Sequence, residues 1–171
     1  MPERPLIGEY DIYYEKYIGL VSEGNVIERL KEQILVSVNL LDTLTETQAN
    51  HKYAPDKWSI KQVFGHLADT ERIMSYRLLR IARGDATPLA GYDDEAYVKS
   101  ASFATHSIQQ LQADYLAVRH ATISLCNGME ESAWLREGIA NSSRVTARAL
   151  AYIIAGHEIH HLNIIQERYL K

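Results

Sequence analysis

Residues 146–168 read TARALAYIIAGHEIHHLNIIQER, and this stretch carries the clearest periodic pattern in the chain. Apolar residues and two histidines recur in it at intervals of three or four positions, which places them on one face of a helix. That face contains, in order, Leu150, Ile154, His157, His161, Ile164 and Arg168. The stretch therefore predicts a long helix, beginning near Thr146, whose buried face holds two imidazoles.

Three earlier segments have the same helical period. The first extends from Ile27 to Leu44, and the second begins at Ser59 and ends at Gly84. The second opens with a capping box, because Ser59 is followed by a glutamine three residues later. The third extends from Ile108 to Gly128.

Four helices with apolar stripes of this spacing predict an all-α fold, a four-helix bundle. Two connections between them are long, from Gly84 to His106 and from Met129 to Val145, and connections of that length can cross the bundle. Patterns of alternating residues, which are typical of strands, are scarce outside the helical segments.

The composition is that of a globular protein of one domain, residues 1–171, with 46% hydrophobic and 23% charged residues. A single cysteine excludes an intrachain disulfide, and no leader or membrane-spanning stretch is recognisable, so a cytoplasmic location is expected. The net charge of −4 disfavours nucleic acid as a partner. Phosphate-binding loops and the nucleophile elbow of hydrolases have no matching motif.

An aromatic lead-in precedes the first long helix. It contains Tyr10, Tyr13, Tyr14 and Tyr17. We expect it to form a short helix that packs against the bundle or against another subunit, which makes a homodimer possible.

His157 and His161 are four residues apart on the apolar stripe, so their rings lie next to each other. Two imidazoles that face an apolar interior need partners, and a divalent metal ion would satisfy both. The alternative is a pair of core histidines bonded to a carboxylate. The stretch 157–161 also matches H-E-x-x-H, but no third zinc ligand of a metalloprotease follows it. A second E-x-x-H is missing, which disfavours a di-iron site.

The best candidate for a third ligand is His66, at the edge of the stripe of the second helix. His51, His106 and His120 are interpreted as surface residues, and His160 as support for the histidine pair. Glu158 lies about 80° from the stripe. It is interpreted as a solvated or interhelical carboxylate, or as a weak candidate for catalysis.

Three stretches resemble the DinB-like (DinB/YfiT) family of metalloenzymes. They are KWSIKQVFGHLADTER at 57–72, GYDDEAYV at 91–98 and AGHEIHHL at 155–162. The resemblance implies a four-helix bundle with an unusual helix order. It also implies one divalent metal ion held by His66, His157 and His161, with zinc or nickel as the first choice and iron or manganese as alternatives.

Family members include transferases that use low-molecular-weight thiols, so the resemblance implies S-transfer from a small thiol to an electrophile. The alternatives are a hydrolase that uses metal-bound hydroxide, and a non-catalytic stress or interaction module that retains metal. Glu158, Asp93 and Arg77 are candidates for catalysis, and Arg72 is a further candidate for the pocket wall. Cys126 is interpreted as core filling.

Overall fold

The computed structural model describes residues 2–170 and contains seven α-helices and one β-hairpin within that range. The helices are α1 (Glu15–Ile18), α2 (Val26–Thr43), α3 (Glu46–Asn50), α4 (Ile60–Ala82), α5 (Asp94–Ser100), α6 (Ile108–Asn127) and α7 (Ala147–Ile164). The hairpin strands are β1 (Glu137–Ala140) and β2 (Ser143–Thr146). Short 3₁₀ turns cover Ile12–Tyr14, Phe103–Thr105 and Glu131–Leu135, and a π-helical turn, Ile165–Tyr169, follows α7.

Side-chain caps fix where the long helices begin. The Ser59 side chain accepts a hydrogen bond from the Gln62 amide, and the Gln62 side chain bonds back to the Ser59 amide. Ser107 and Gln110 make the same box at the start of α6. Thr146 caps α7, so the predicted start of that helix is confirmed.

The four long helices form a bundle in which two of the three consecutive pairs are not neighbours. The helices α6 and α7 each pack against both α2 and α4. Two consecutive pairs, α2 with α4 and α6 with α7, therefore lie on the diagonals, whereas α4 and α6 are neighbours. The predicted four-helix bundle is confirmed. Of its two long connections, the one from Met129 to Val145 crosses the bundle, and the one from Gly84 to His106 joins adjacent helices.

The second of those connections contains a β-hairpin that the sequence pattern does not indicate. Antiparallel β1 and β2 pair Glu137 with Thr146, and the turn residues Asn141 and Ser142 have φ angles of 51° and 64°. Leu89, in the other long connection, bridges to Ala140. Strands of four residues are too short for a clear alternation, and only the asparagine at the turn favours positive φ.

The aromatic lead-in folds back over its own bundle. The helix α1 packs against α7 and buries Tyr17 and Ile18. Gly156 of α7 permits the close approach, because a β-carbon at that position would lie 2.0 Å from the Tyr17 carbonyl oxygen. Ile12 and Tyr13 remain largely exposed on the outer side.

Within residues 2–170, no helix combines the length and the apolar character that crossing a bilayer requires.

Candidate metal centre

Three imidazoles from two helices converge on one point. His66 lies on α4, and His157 and His161 lie one turn apart on α7. The Nε2 atom of His157 is 3.1 Å from Nε2 of His66 and 3.1 Å from Nε2 of His161. One nitrogen from each ring lies within 4.8 Å of the other two, and the three form a cluster able to hold a metal ion.

The spacing of these nitrogens suits a tetrahedral ion. Zinc lies about 2.0–2.1 Å from histidine nitrogen, so two ligand nitrogens of a tetrahedral site are about 3.3 Å apart. In a neutral imidazole only one ring nitrogen carries hydrogen, so His157 Nε2 can donate to at most one of its two neighbours. A cation at the centre would be bound by all three lone pairs.

Burial keeps the three rings neutral. Removal from solvent lowers the pKa of His66 to about 4 and that of His161 to about 3. The pKa of His157 falls well below its ordinary value, because burial and the two neighbouring imidazoles both disfavour the charged form. Since only the neutral ring can bind a metal, the cluster is in the binding form at neutral pH.

Aromatic and hydroxyl groups hold the rings in place. The Trp58 ring packs 4.7 Å from the His66 ring, centroid to centroid, and stacks on His161 at 6.5 Å. The Nδ1 atom of His66 is 3.4 Å from the Thr70 hydroxyl, which in turn bonds to the Tyr92 hydroxyl at 2.8 Å. A partner on Nδ1 fixes the ring orientation and leaves Nε2 for a metal.

The cluster lies at one end of a cavity of about 400 Å³, and His66 and His157 form part of the cavity wall. This volume accommodates a small organic molecule. Four tyrosines from the lead-in and the long connection, Tyr13, Tyr14, Tyr17 and Tyr92, also line the cavity.

A buried ionic network forms the cavity wall beside the histidines. Arg119 of α6 donates to both carboxylate oxygens of Glu71, at 2.8 and 2.9 Å, and also to Glu158. The Tyr115 hydroxyl donates to Glu158 at 2.8 Å, and Ser37 donates to the same oxygen. Glu158 is thus a fully buried interhelical carboxylate that also lines the cavity.

Arg119 and Glu71 were not predicted from the sequence to be buried beside the histidines. Arg119 follows Val118 of the apolar stripe directly, and Glu71 follows Thr70 in the same way. A charged residue next to a stripe position usually extends to solvent, so the only signal was their position at the edge of the buried face.

Comparison with known sequences and structures identifies the family. The sequence model of the DinB superfamily matches residues 29–165, which is most of the chain. The chain belongs to the DinB superfamily.

Solved structures show the DinB-superfamily fold at low sequence identity. The chain is similar to YfiT from Bacillus subtilis, described as a probable metal-dependent hydrolase with an unusual four-helix bundle topology. The TM-score is 0.72 at 18% identity, over 98% of this chain and 90% of that one. A DinB-like protein from the same organism matches with a TM-score of 0.59 at 16% identity, over 86% of this chain and 91% of that one. No curated protein sequence matches significantly.

The other candidate residues of this DinB-superfamily chain are spread over different environments. Asp93 caps α5 through the Ala96 amide, and the neighbouring Asp94 is the residue that lines the cavity. Arg72 is exposed and pairs with Asp114. Arg77 is 3% exposed and forms part of the cavity wall.

The remaining histidines and the cysteine have the surroundings that the sequence analysis expected. The exposed histidines are His51, His106 and His120. His160 is partly exposed and packs edge-on against Tyr17. Cys126 is buried, and burial raises the pKa of its thiol to about 12, so it stays protonated.

Proposed function

We propose that this DinB-superfamily protein is a metal-dependent transferase that attaches a low-molecular-weight thiol to an electrophile. The observation that carries the proposal is the convergence of three neutral imidazole nitrogens at one end of a cavity of about 400 Å³. Three protein ligands leave at least one coordination position open, which is typical of catalytic rather than structural metal sites.

A divalent ion in this cluster supplies Lewis-acid chemistry, which lowers the pKa of a thiol or a water in its open position. The chain contributes the ligands His66, His157 and His161. Because His66 and His157 form part of the cavity wall, a molecule in the cavity would lie beside an ion held by these residues.

The two buried carboxylates of the cavity wall favour a thiol over water as the nucleophile. Glu71 and Glu158 both accept hydrogen bonds from Arg119, so neither is free to act as a base. A free thiol has a pKa of about 8.5, whereas that of water is about 15.7, so a thiol needs much less help to lose its proton.

The tyrosines of the cavity wall suit an organic thiol and its acceptor, since their rings offer apolar area and their hydroxyls offer hydrogen bonds. The transfer forms a bond between sulfur and the electrophilic carbon, breaks the bond to the leaving group and releases the thiol proton to solvent. It needs no oxidant or reductant.

The second candidate is a metal-dependent hydrolase. It is favoured by the description of YfiT, which shares the fold at 18% identity. In that case water takes the position of the thiol, and a hydrolysable ester or amide takes that of the electrophile.

Turnover assays with zinc- and nickel-loaded protein separate the candidates. We expect a product from monochlorobimane and at least one thiol of a panel of cysteine, glutathione, coenzyme A, bacillithiol and mycothiol. The rate should fall to background in His66→Ala and stay unchanged in His120→Ala. Hydrolysis of esters or amides without a thiol would support the second candidate, and no turnover with metal bound would support a non-catalytic module.

A further inference from the structure

Three cationic side chains are buried within residues 2–170, and two of them are neutralised by carboxylates. Lys61 pairs with Glu46, and Arg119 pairs with Glu71 and Glu158. The third, Arg77, makes no ion pair with any carboxylate of the described residues. A buried cation without a counter-ion is costly, so a negative charge from outside the chain would stabilise it.

The hydrogen bonds of Arg77 leave part of its guanidinium available. Its Nη2 atom donates to the Ala90 carbonyl oxygen at 2.7 Å, and its Nη1 atom lies 3.5 Å from the Met74 sulfur. Tyr14 is a further neighbour, since the Arg77 charge opposes the rise that burial causes in the pKa of the Tyr14 hydroxyl. A guanidinium has five N–H donors, so these neutral partners neither use all of them nor balance the charge.

Arg77 and the histidine cluster lie along one cavity, at different positions along the axis of α4. His66, Thr70, Met74 and Arg77 follow each other along α4 at intervals of four, four and three residues, and all four line the cavity. Eleven residues of helix correspond to about 16 Å along the axis. The Nη1 contact with Met74 shows that the guanidinium is turned back towards the histidines.

Hydroxyl and amide groups accompany Arg77 in this part of the cavity. The centre of the Tyr92 ring lies 5.8 Å from the guanidinium carbon, and Tyr14 is part of the same cavity wall. Asn141, at the turn of the hairpin, is also part of the wall. Arginine with nearby hydroxyl and amide donors is a set that recognises carboxylates.

The ion pairs of the cavity wall leave Arg77 as the cation that is available to an anion. Glu71 and Glu158 leave a net negative charge around Arg119. Two further carboxylates, Asp11 and Asp94, line the cavity, and Asp11 accepts a hydrogen bond from the Ser143 hydroxyl. Because Arg119 is already paired with two carboxylates, Arg77 is the arginine of the cavity wall that remains to attract a ligand carboxylate.

We propose that the cavity binds a substrate or cosubstrate that carries a carboxylate, and that Arg77 anchors this carboxylate while the reacting end reaches the histidine cluster. The inference rests on the proposed function only in placing the reacting end of this ligand at the histidine cluster. An extended tripeptide covers about 10 Å. The Arg77 side chain is turned back towards the histidines and shortens the axial separation of about 16 Å, so a peptide-sized thiol or an acceptor of similar length matches the scale of the site.

Calorimetric titration of the metal-loaded protein tests this without any turnover. In one arm the probes are glutathione and its diamide, in which both carboxylates are amidated, and in the other 4-methylphenylacetate, an unreactive analogue of an acceptor, and its carboxamide. We expect the acid of at least one pair to bind about tenfold more tightly than its amide, as a charge-assisted hydrogen bond gives. The arm that shows the preference tells whether the thiol or the acceptor carries the carboxylate.

The variants assign the preference to Arg77. Arg77→Met should bind acid and amide equally, and Arg77→Lys should keep part of the difference. Arg136→Met is the matched control, because Arg136 also donates to a main-chain carbonyl, that of Ala82, but lies outside the cavity wall. Circular dichroism and metal content show that each variant is folded.

Three results would overturn the inference: equal binding of acid and amide by the wild type in both arms, no binding of any probe, or a preference that survives in Arg77→Met. A preference for the acid that requires the metal but persists in Arg77→Met would likewise overturn the inference. Failure of the thiol transferase assay with an intact Arg77-dependent preference would refute the proposed function and leave this inference standing.

Discussion

Gly156 of α7 touches the main chain of Tyr17, and a β-carbon at position 156 would lie 2.0 Å from the Tyr17 carbonyl oxygen. The contact holds the Tyr17 ring edge-on against His157, with 5.2 Å between the ring centroids. The lead-in therefore covers one ring of the histidine cluster because position 156 has no side chain.

Gly156→Ala should displace the lead-in, because a main-chain carbonyl cannot swing aside as a flexible side chain does. Helix propensity alone would make this change stabilising by about 1 kcal/mol, whereas overpacking costs about 1–3 kcal/mol. We expect net destabilisation in urea unfolding and weaker metal binding. Gly128→Ala is the control, since its β-carbon would have ordinary contacts of 3.6 Å. A Gly156→Ala protein more stable than the wild type would contradict the close approach.

Metal binding should depend on the three converging imidazoles. His157→Ala and His161→Ala should lose stoichiometric metal, and His66→Ala should bind it much more weakly, because each removes one of three ligands. His120→Ala should bind like the wild type, since His120 is exposed on α6. Elemental analysis of the purified variants measures this. Full occupancy in the His66 variant would refute the ligand set.

The metal-free protein should lose stability as the pH falls from about 6.5 to about 4. The folded state lowers the pKa of His66 to about 4, so in this range the unfolded chain takes up a proton that the folded chain does not. At 1.36 kcal/mol for each pKa unit, His66 alone should lower the free energy of unfolding by about 3 kcal/mol over this pH range. His161, whose pKa falls to about 3, acts in the same direction.

Urea unfolding in the presence of a chelator, at a series of pH values, measures this loss. His66→Gln should reduce the slope of unfolding free energy against pH, whereas His120→Gln should keep it. Identical slopes for the wild type and His66→Gln would contradict the role of burial.

The network around Arg119 should be the most sensitive ionic contact of the fold. Arg119→Met leaves Glu71 and Glu158 as uncompensated buried carboxylates, and breaking such a network costs about 3–5 kcal/mol. Arg72→Met removes an exposed pair with Asp114 and should cost less than about 1 kcal/mol. Chemical denaturation of both variants gives the comparison. Similar losses of unfolding free energy in the two variants would contradict the larger contribution of the buried network.

Much of the fold follows from local signals. The capping box at Ser59 and the start of α7 near Thr146 are predicted from the sequence, as is the histidine pair on the stripe of α7. These features depend only on residues within one or two turns of each other, which is why the periodic pattern predicts them.

The features that escaped prediction depend on distant contacts. Nothing near Gly156 indicates that the Tyr17 backbone packs on it, and nothing near Arg119 indicates two carboxylates from other helices. The hairpin is stabilised by its bridge to Leu89, about fifty residues earlier. In each case the feature depends on a contact with a residue far away in the sequence, which the local pattern does not reveal.

The homodimer stays a prediction, and the exposed outer side of the lead-in is where we expect it. Ile12 is 70% and Tyr13 57% exposed, although both are largely apolar. Light scattering should show a dimer for the full chain and a monomer for the double change Ile12→Ser and Tyr13→Ser. Leu35→Ser on α2 should leave the dimer intact. A monomeric wild type would refute the expectation.

The diagonal placement of α2 and α4 has a consequence for the order in which the protein can mature during synthesis. When the ribosome has made α2 and α4, neither has its packing partners, since both wait for α6 and α7. His66 is then present without the two imidazoles of α7, which follow 91 and 95 residues later in the chain. Metal insertion must therefore come after α7 has emerged, and a nascent chain stopped before it would expose apolar helix faces to chaperones and proteases.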